Sequence, residues 1–248
     1  HGFNARAPQQ AIALAREAMR LHREWSYDVF FDHGHLHVLA GMFPDLPTVN
    51  VFHDNYQKHA RCAVLLSEGQ RAMLSPDFEN ARIIHNALDP ADFKPFYDHS
   101  TPEFVLWMGA IQDFKAPVLA IEACARAGVK LVMAGQSMTG QLPFDHLGNV
   151  SYIGPVAGAV RDNALRNARV FLQLGIGESF GLTTLEAGLL GTPVVAWPAG
   201  GSLDLVRYGV NGVFVCTAGG DKVQAVADAI EQAWYMHREP CRLFTEAI

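Results

Sequence analysis

The stretch GIGESFGLTTLEAGLLG, running from Gly175 to Gly191, decides the fold. Before it lies Arg169–Leu174 (RVFLQL) and after it Thr192–Trp197 (TPVVAW), and both read as buried strands. A glycine-rich turn and an apolar helix between two such strands make a strand–loop–helix–strand unit, which opens a helix N-terminus towards an anionic ligand. Gly175, Gly177 and Gly181 let the backbone turn tightly and leave its N–H groups uncovered. Glu178 stands in the loop and Glu186 in the helix. Glu186 is the only charged residue from Ser179 to Leu203. A carboxylate on so apolar a helix is costly unless something hydrogen-bonds it. Ligand hydroxyls, such as those of a ribose, would do so. The helix macrodipole, acting on an acid near its N-terminus, is the ligand-free alternative.

The 248 residues allow two ordinary domains or one large one. Half of them are hydrophobic and 18% are charged, which supports a real core. With 25 acids against 19 bases the net charge is −6, so no basic footprint points to nucleic acid or anionic lipid. Cys62, Cys124, Cys216 and Cys241 are scattered without C-x-x-C spacing, and read as reduced core residues of a cytosolic protein. No apolar run reaches the ~18 residues of a membrane span. The chain opens at His1 without methionine and stops at Ile248 in mid-pattern, so pieces are expected beyond both ends.

Outward from the central unit the pattern alternates strand and helix, which predicts parallel sheets with right-handed crossovers. A helix is expected over Gln9–Glu24, with Ala11, Leu14, Ala18 and Leu21 on one face. Strands follow at Tyr27–Phe31, Thr48–Phe52, Cys62–Leu66 and Ala81–Ile84, with Ser67 as a helix N-cap. Asp89–Glu103 carries three prolines and little periodicity, and reads as the domain linker. The pattern restarts with strands at Phe104–Met108, Val129–Ala134, Asn149–Ile153, the two flanking the central stretch, and Gly212–Val215. Helices are expected at Pro117–Ala127, up to Ala168, at Ser202–Tyr208, and from Asp221 to about Arg238. Six strands from Phe104 onward make a complete nucleotide-binding half. The first half has only four, so its opening βα units are expected to be the missing piece.

The central stretch resembles the signature of retaining GT-B glycosyltransferases of the family 4 type. Their E-x7-E motif is similar to Glu178–Glu186, followed by A-x-x-x-G-T-P-V-V. Gly200–Asp204 and Gly209–Gly212 resemble the family's G-G-x-x-E and G-x-N-G segments, with Asp204 where Glu is usual. Ser67-Glu68 and His85–Asp89 resemble its first-domain landmarks. The resemblance runs roughly from Tyr27 to Trp234. It implies an α/β GT-B fold of two Rossmann-like domains with parallel sheets facing across a cleft. The first, acceptor-side domain would span residues 1–95 and be incomplete; the nucleotide-sugar domain would span 96–248.

The resemblance also implies roles. Glu186 would bind the ribose hydroxyls and Glu178 the transferred sugar. The N–H groups of Gly181, Leu182 and Thr183 would face sugar and diphosphate, with Gly109, Val156 and Phe180 also lining the donor site. Lys115 sits where the family's G-R-x-x-x-x-K-G places its diphosphate lysine, but the arginine position is Ala110. Arg offers phosphate a bidentate fork that Ala cannot replace. His53, in VFHD, matches the family's T-x-H position and would face the donor sugar; it is otherwise a satisfied structural histidine. The expected partners are a nucleotide diphosphate sugar, with UDP or GDP as the carrier, and an acceptor hydroxyl on a saccharide, a lipid-linked molecule or a small molecule. No cofactor or metal is expected, nor nucleic acid, and the location is cytoplasmic.

Other readings stay open. His33, His35 and His37 alternate, so on a strand they share a face and could chelate a metal, as in a metallohydrolase. Alternatively they line the cleft. A GT-B epimerase or phosphorylase would share the fold. A nucleotide-sugar-binding protein with weak or no turnover would fit Ala110.

Overall fold

The computed structural model describes residues 7–34, 37–55, 62–74, 78–95, 97, 104–137, 148–217 and 220–248. Contacts divide the chain into two compact units, His1–His85 and Asn86–Ile248. The division falls earlier than the boundary expected after residue 95. Within the segment read as linker, Pro90–Asp92 forms a 3₁₀ turn capped by the Asp89 side chain, and the Pro90 and Phe93 carbonyls accept from Arg242 of the second unit.

The first unit carries a four-stranded parallel sheet in sequence order: β1 (Phe30–Asp32), β2 (Thr48–Val51), β3 (Ala63–Leu65) and β4 (Arg82–Ile83). Helices α1 (Ala7–Trp25), α2 (Val38–Met42) and α3 (Glu68–Met73) lie between or before them. Phe52, Leu65 and Phe78 form its small core, the two phenylalanines meeting edge to face with centroids 5.0 Å apart. On α1 the buried residue is Ala15, while Leu14, expected to face inward, is 72% exposed. Ser67 caps α3 as expected, its hydroxyl accepting from the Gln70 N–H at 2.8 Å.

The second unit holds six parallel strands: β5 (Phe104–Met108), β6 (Lys130–Ala134), β7 (Val150–Tyr152), β8 (Val170–Gln173), β9 (Val194–Ala196) and β10 (Gly212–Phe214). Their spatial order is β10-β9-β8-β5-β6-β7. The chain therefore steps outward from β5 through β6 to β7, then returns to the other side of β5 with β8. That reversal makes the carboxyl ends of β5 and β8 a topological switch point, where open parallel sheets bind ligands. The strands are apolar because both faces are covered, and all four residues of β8 are buried. One face packs Val105, Trp107, Leu131, Met133, Val170 and Leu172 in a core with α4 (Pro117–Arg126) and α8 (Lys222–Trp234).

Helices α5 (Gly158–Asn167), α6 (Leu182–Leu189) and α7 (Ser202–Leu205) complete the crossovers. The helix expected to reach Arg238 stops at Trp234, and a separate helix, α9 (Arg238–Glu246), follows. Its buried residues are Arg238, Cys241, Arg242 and Thr245. Its inward face is thus mostly polar, which hides it from an apolar-periodicity reading. Arg238 reaches the carbonyls of Arg166 and Ala168 and the Thr192 hydroxyl, and Arg242 reaches the Leu189 carbonyl at the end of α6. Burial lowers Arg238 to about 10. Only Cys124 and Cys241 are core cysteines; Cys62 and Cys216, expected in the core, are exposed because each stands just outside a strand end. No described helix is long and apolar enough to cross a membrane.

Candidate functional site

The carboxyl ends of β5 and β8 bring Lys115 and Glu178 together. β5 runs on through Gly109 to a short 3₁₀ turn, Asp113–Lys115. The buried Trp107 donates from its indole to the Lys115 carbonyl at 3.1 Å, which fixes that turn against the sheet. β8 ends at Gln173, and the loop to α6 carries Glu178. The Lys115 ammonium pairs with Glu178 Oε2, and the Gln173 amide donates to the same oxygen at 3.0 Å. A Cβ on Gly175 would lie 3.2 Å from Lys115 Cδ, so this glycine gives the lysine stem its room. Ala116, next in the chain, has φ 53°, a left-handed conformation unusual for alanine.

Glu186 lies on the fifth residue of α6 and is 7% exposed. The Arg161 guanidinium, from α5, reaches its Oε1 at 2.7 Å. Burial raises the Glu186 carboxyl above the ordinary carboxylate range; Arg161 opposes that shift and Asp162 adds to it. At the head of the helix Gly181 has φ 101°, which glycine tolerates. Leu182 is exposed, Gly181 and Thr183 are half-buried, and Phe180 is buried. The N–H groups of Leu182 and Thr183 come ahead of the first intrahelical bonds, in which the Thr184 and Leu185 N–H groups donate to the Gly181 carbonyl at 2.9 and 3.1 Å. Gly201 backs the loop closely: its N–H donates to the Glu178 carbonyl at 2.9 Å, and a Cβ there would lie 1.9 Å from the Phe180 carbonyl oxygen. Gly109 and half-buried Val156 lie in the β5 and β7 loops, and Ala110 follows Gly109.

The first unit holds His53, just past the end of β2. Gln70, fully buried on α3, donates its side-chain amide to the carbonyls of Phe52 and Asp54, at 3.0 and 3.2 Å. Both neighbours of His53 are thereby fixed. His33 Nδ1 meets His53 Nε2 at 2.9 Å, a contact in which one ring nitrogen must donate and the other accept. The His37 ring lies against Phe52 with centroids 4.3 Å apart and planes tilted by 39°, and burial pushes its pKa down. His35 lies outside the described residues. Among those described, no group of three His, Cys, Asp or Glu side chains is arranged to hold a metal ion.

Sequence reasoning did not single out Arg161, Gln173 or Gln70. Arg161 pairs with Glu186 and Gln173 donates to Glu178, while Gln70 holds the residues on either side of His53. A depression of about 350 Å³ between α4 and α8, lined by Arg126, Gln224 and Trp234 among others, contains none of these residues.

Residues 102–235, just over half of the chain, match the family described as glycosyl transferases group 1. The chain belongs to that family. Among curated proteins this group 1 chain is 36% identical over 140 residues to a D-inositol 3-phosphate glycosyltransferase of Mycobacterium avium (strain 104). That match covers 52% of this chain and 32% of the relative, so the chain aligns with about a third of that protein's length. Among solved structures it is similar to sucrose-phosphate synthase from Thermosynechococcus elongatus, with TM-score 0.78 and 17% identity over 94% of this chain and 72% of that one. It is also similar to Anabaena HepE in complex with UDP and glucose, with TM-score 0.75 and 17% identity over 100% of this chain and 80% of that one. With its two all-parallel α/β sheets, the group 1 chain has the GT-B fold of these neighbours.

Proposed function

We propose that this chain belongs to a retaining glycosyltransferase of the family 4 type, which moves a sugar from a nucleoside diphosphate sugar to an acceptor hydroxyl. The observation that carries this reading is the meeting of Lys115 with Glu178 at the β5–β8 switch point, beside the N-terminus of the helix that holds Glu186. Structural neighbours solved with UDP and with UDP-glucose favour UDP as the carrier. The second unit then takes the donor and the first contributes to the acceptor side. Two exposed free cysteines fit a reducing compartment such as the cytoplasm.

In this reading the donor diphosphate draws Lys115 away from Glu178 and lies on the open N–H groups of Gly181, Leu182 and Thr183. Those donors and the positive helix end stabilise the charge that grows on the leaving phosphate, with no metal assigned to the site. Glu178, released from its ion pair, accepts from the sugar hydroxyls, and Glu186 accepts from the ribose. The bond from the sugar's anomeric carbon to the β-phosphate oxygen breaks, and the acceptor oxygen bonds to that carbon from the same face. The acceptor's proton passes to the departing phosphate.

Thermal unfolding with UDP-, GDP-, ADP- and dTDP-sugars tests the reading, on wild type and Glu186→Ala. A donor at a hundred times its Kd should stabilise wild type by about 2.7 kcal/mol and leave the variant unmoved. No shift with any nucleotide refutes it. Ala110 favours a second reading, donor binding with little turnover, because the guanidinium fork for phosphate is missing there. In that case Ala110→Arg should raise turnover of a bound donor.

A further inference from the structure

Glu186 is a buried carboxylate whose charge has to be held by something. It is the fifth residue of α6, beyond the first turn within which the macrodipole acts, so the helix end alone does not hold it. Its neighbours offer little else. Helix α6 has no other ionisable side chain, and neither has β8 or β9. The charged side chains of α9 that reach α6 do so at its far end, where Arg242 takes the Leu189 carbonyl and pairs with Glu246. On α7 the charged side chain is the half-buried Asp204. The charges that act on Glu186 are Arg161 and Asp162, both on α5.

These two are arranged in series. Arg161 Nε and Nη2 hold Asp162 Oδ1 at 2.9 and 2.8 Å, which orients the guanidinium plane. Its remaining nitrogen, Nη1, reaches Glu186 Oε1 at 2.7 Å. Pinning one oxygen of a carboxylate sets the direction of the other. We propose that Arg161 is a positioning residue: it takes Oε1 of Glu186 and so presents Oε2, ionised and fixed in direction, to a ribose hydroxyl of the donor nucleotide. The proposal rests on the donor-site reading above. It adds a residue that touches no ligand, and predicts that nucleotide affinity is set partly from α5.

The test compares wild type, Arg161→Gln, Arg161→Lys, Glu186→Gln and the Arg161→Gln/Glu186→Gln double variant. Carboxyl 13C NMR follows the Glu186 titration without ligand, its resonance identified by its loss in Glu186→Gln. In Arg161→Gln that titration should move up by about 1–3 pH units, the usual effect of an adjacent opposite charge, and Arg161→Lys should largely restore it. Calorimetry with UDP should show affinity at neutral pH falling by about 10- to 100-fold in Arg161→Gln, as expected for a hydrogen-bonded charge. The loss should deepen as pH falls and Glu186 gains its proton. Affinity for inorganic pyrophosphate, which has no ribose, should not change. In the Glu186→Gln background the Arg161→Gln change should cost almost nothing further.

An unchanged Glu186 titration in Arg161→Gln overturns the proposal, whatever the nucleotide does. So does an equal loss of UDP affinity in both backgrounds, which would mean that Arg161 meets the nucleotide itself. If wild type binds neither UDP nor pyrophosphate while the titration still moves, the donor-site reading has failed and takes the ribose role with it.

Discussion

Gly201→Ala separates the geometry of the loop proposed to take the donor from the stability of the fold. Gly201 has φ −58° and ψ −15°, an ordinary conformation for any residue, so backbone strain plays no part. The obstacle is space. An added Cβ would lie 1.9 Å from the Phe180 carbonyl oxygen and 2.4 Å from its Cα, about 1.5 Å short of ordinary contact at 3.4 Å. The obstructing atoms are backbone, and Phe180 is itself buried, so the segment between Glu178 and Gly181 must move as a piece. A displacement of about 1 Å in a positioned site costs roughly 100-fold, and that loss is expected in UDP affinity or turnover. Overpacking should cost about 1–3 kcal/mol of stability. Gly209→Ala is the complementary variant: φ is 75° but nothing lies within 4 Å of the new Cβ. It should cost about 1 kcal/mol of stability through its backbone alone and leave UDP affinity intact. Calorimetry with UDP, beside thermal unfolding of each variant, reads both effects. A folded Gly201→Ala protein that binds UDP like wild type refutes the steric argument, as does an equal affinity loss in Gly209→Ala.

Glu186→Gln should stabilise the ligand-free protein at neutral pH. Its folded pKa is raised, so the favourable proton binding is present at low pH and lost as pH rises through the folded value, leaving a buried charge as a net cost above it. The variant's gain in unfolding temperature should therefore shrink as pH falls towards 4.5, and a lower unfolding temperature than wild type at pH 7 would contradict it. His37 has the opposite sign. Burial lowers its folded pKa below 6.5, so the unfolded chain binds the proton more readily and stability is lost as pH falls below that value. His37→Asn, which tolerates the φ of 43°, should flatten that dependence in unfolding curves followed by circular dichroism. Arg238→Met leaves the Arg166 and Ala168 carbonyls and the Thr192 hydroxyl without their donor, and urea unfolding should report a loss of about 3 kcal/mol.

The second unit was legible because its elements carry their own signals. β5 has the expected bounds, and Pro117 and Gly128 punctuate α4 as their chemistry predicts. Lys115 and Glu178, 63 positions apart, were drawn to one site by motif resemblance, and they do meet. Arg161 was not legible. It sits among polar residues on a helix and looks like any solvated arginine until α5 is laid beside α6. Gln173 reads as one more strand residue, because a sequence does not tell which face of a doubly covered strand ends at a loop. Gln70 was hidden in the same way: its partners flank His53 but come from another element. Leu14 failed in the other direction, an apolar residue at helical spacing that the first unit leaves exposed.

Arg242 has a mechanical consequence. One guanidinium grips the Pro90 and Phe93 carbonyls, just past the boundary with the first unit, and the Leu189 carbonyl at the tail of α6. The head of that same helix carries the N–H groups assigned to the diphosphate. A pull on the segment entering the second unit would therefore load α6 through Arg242, making this helix a strut between that segment and the diphosphate site proposed at its head.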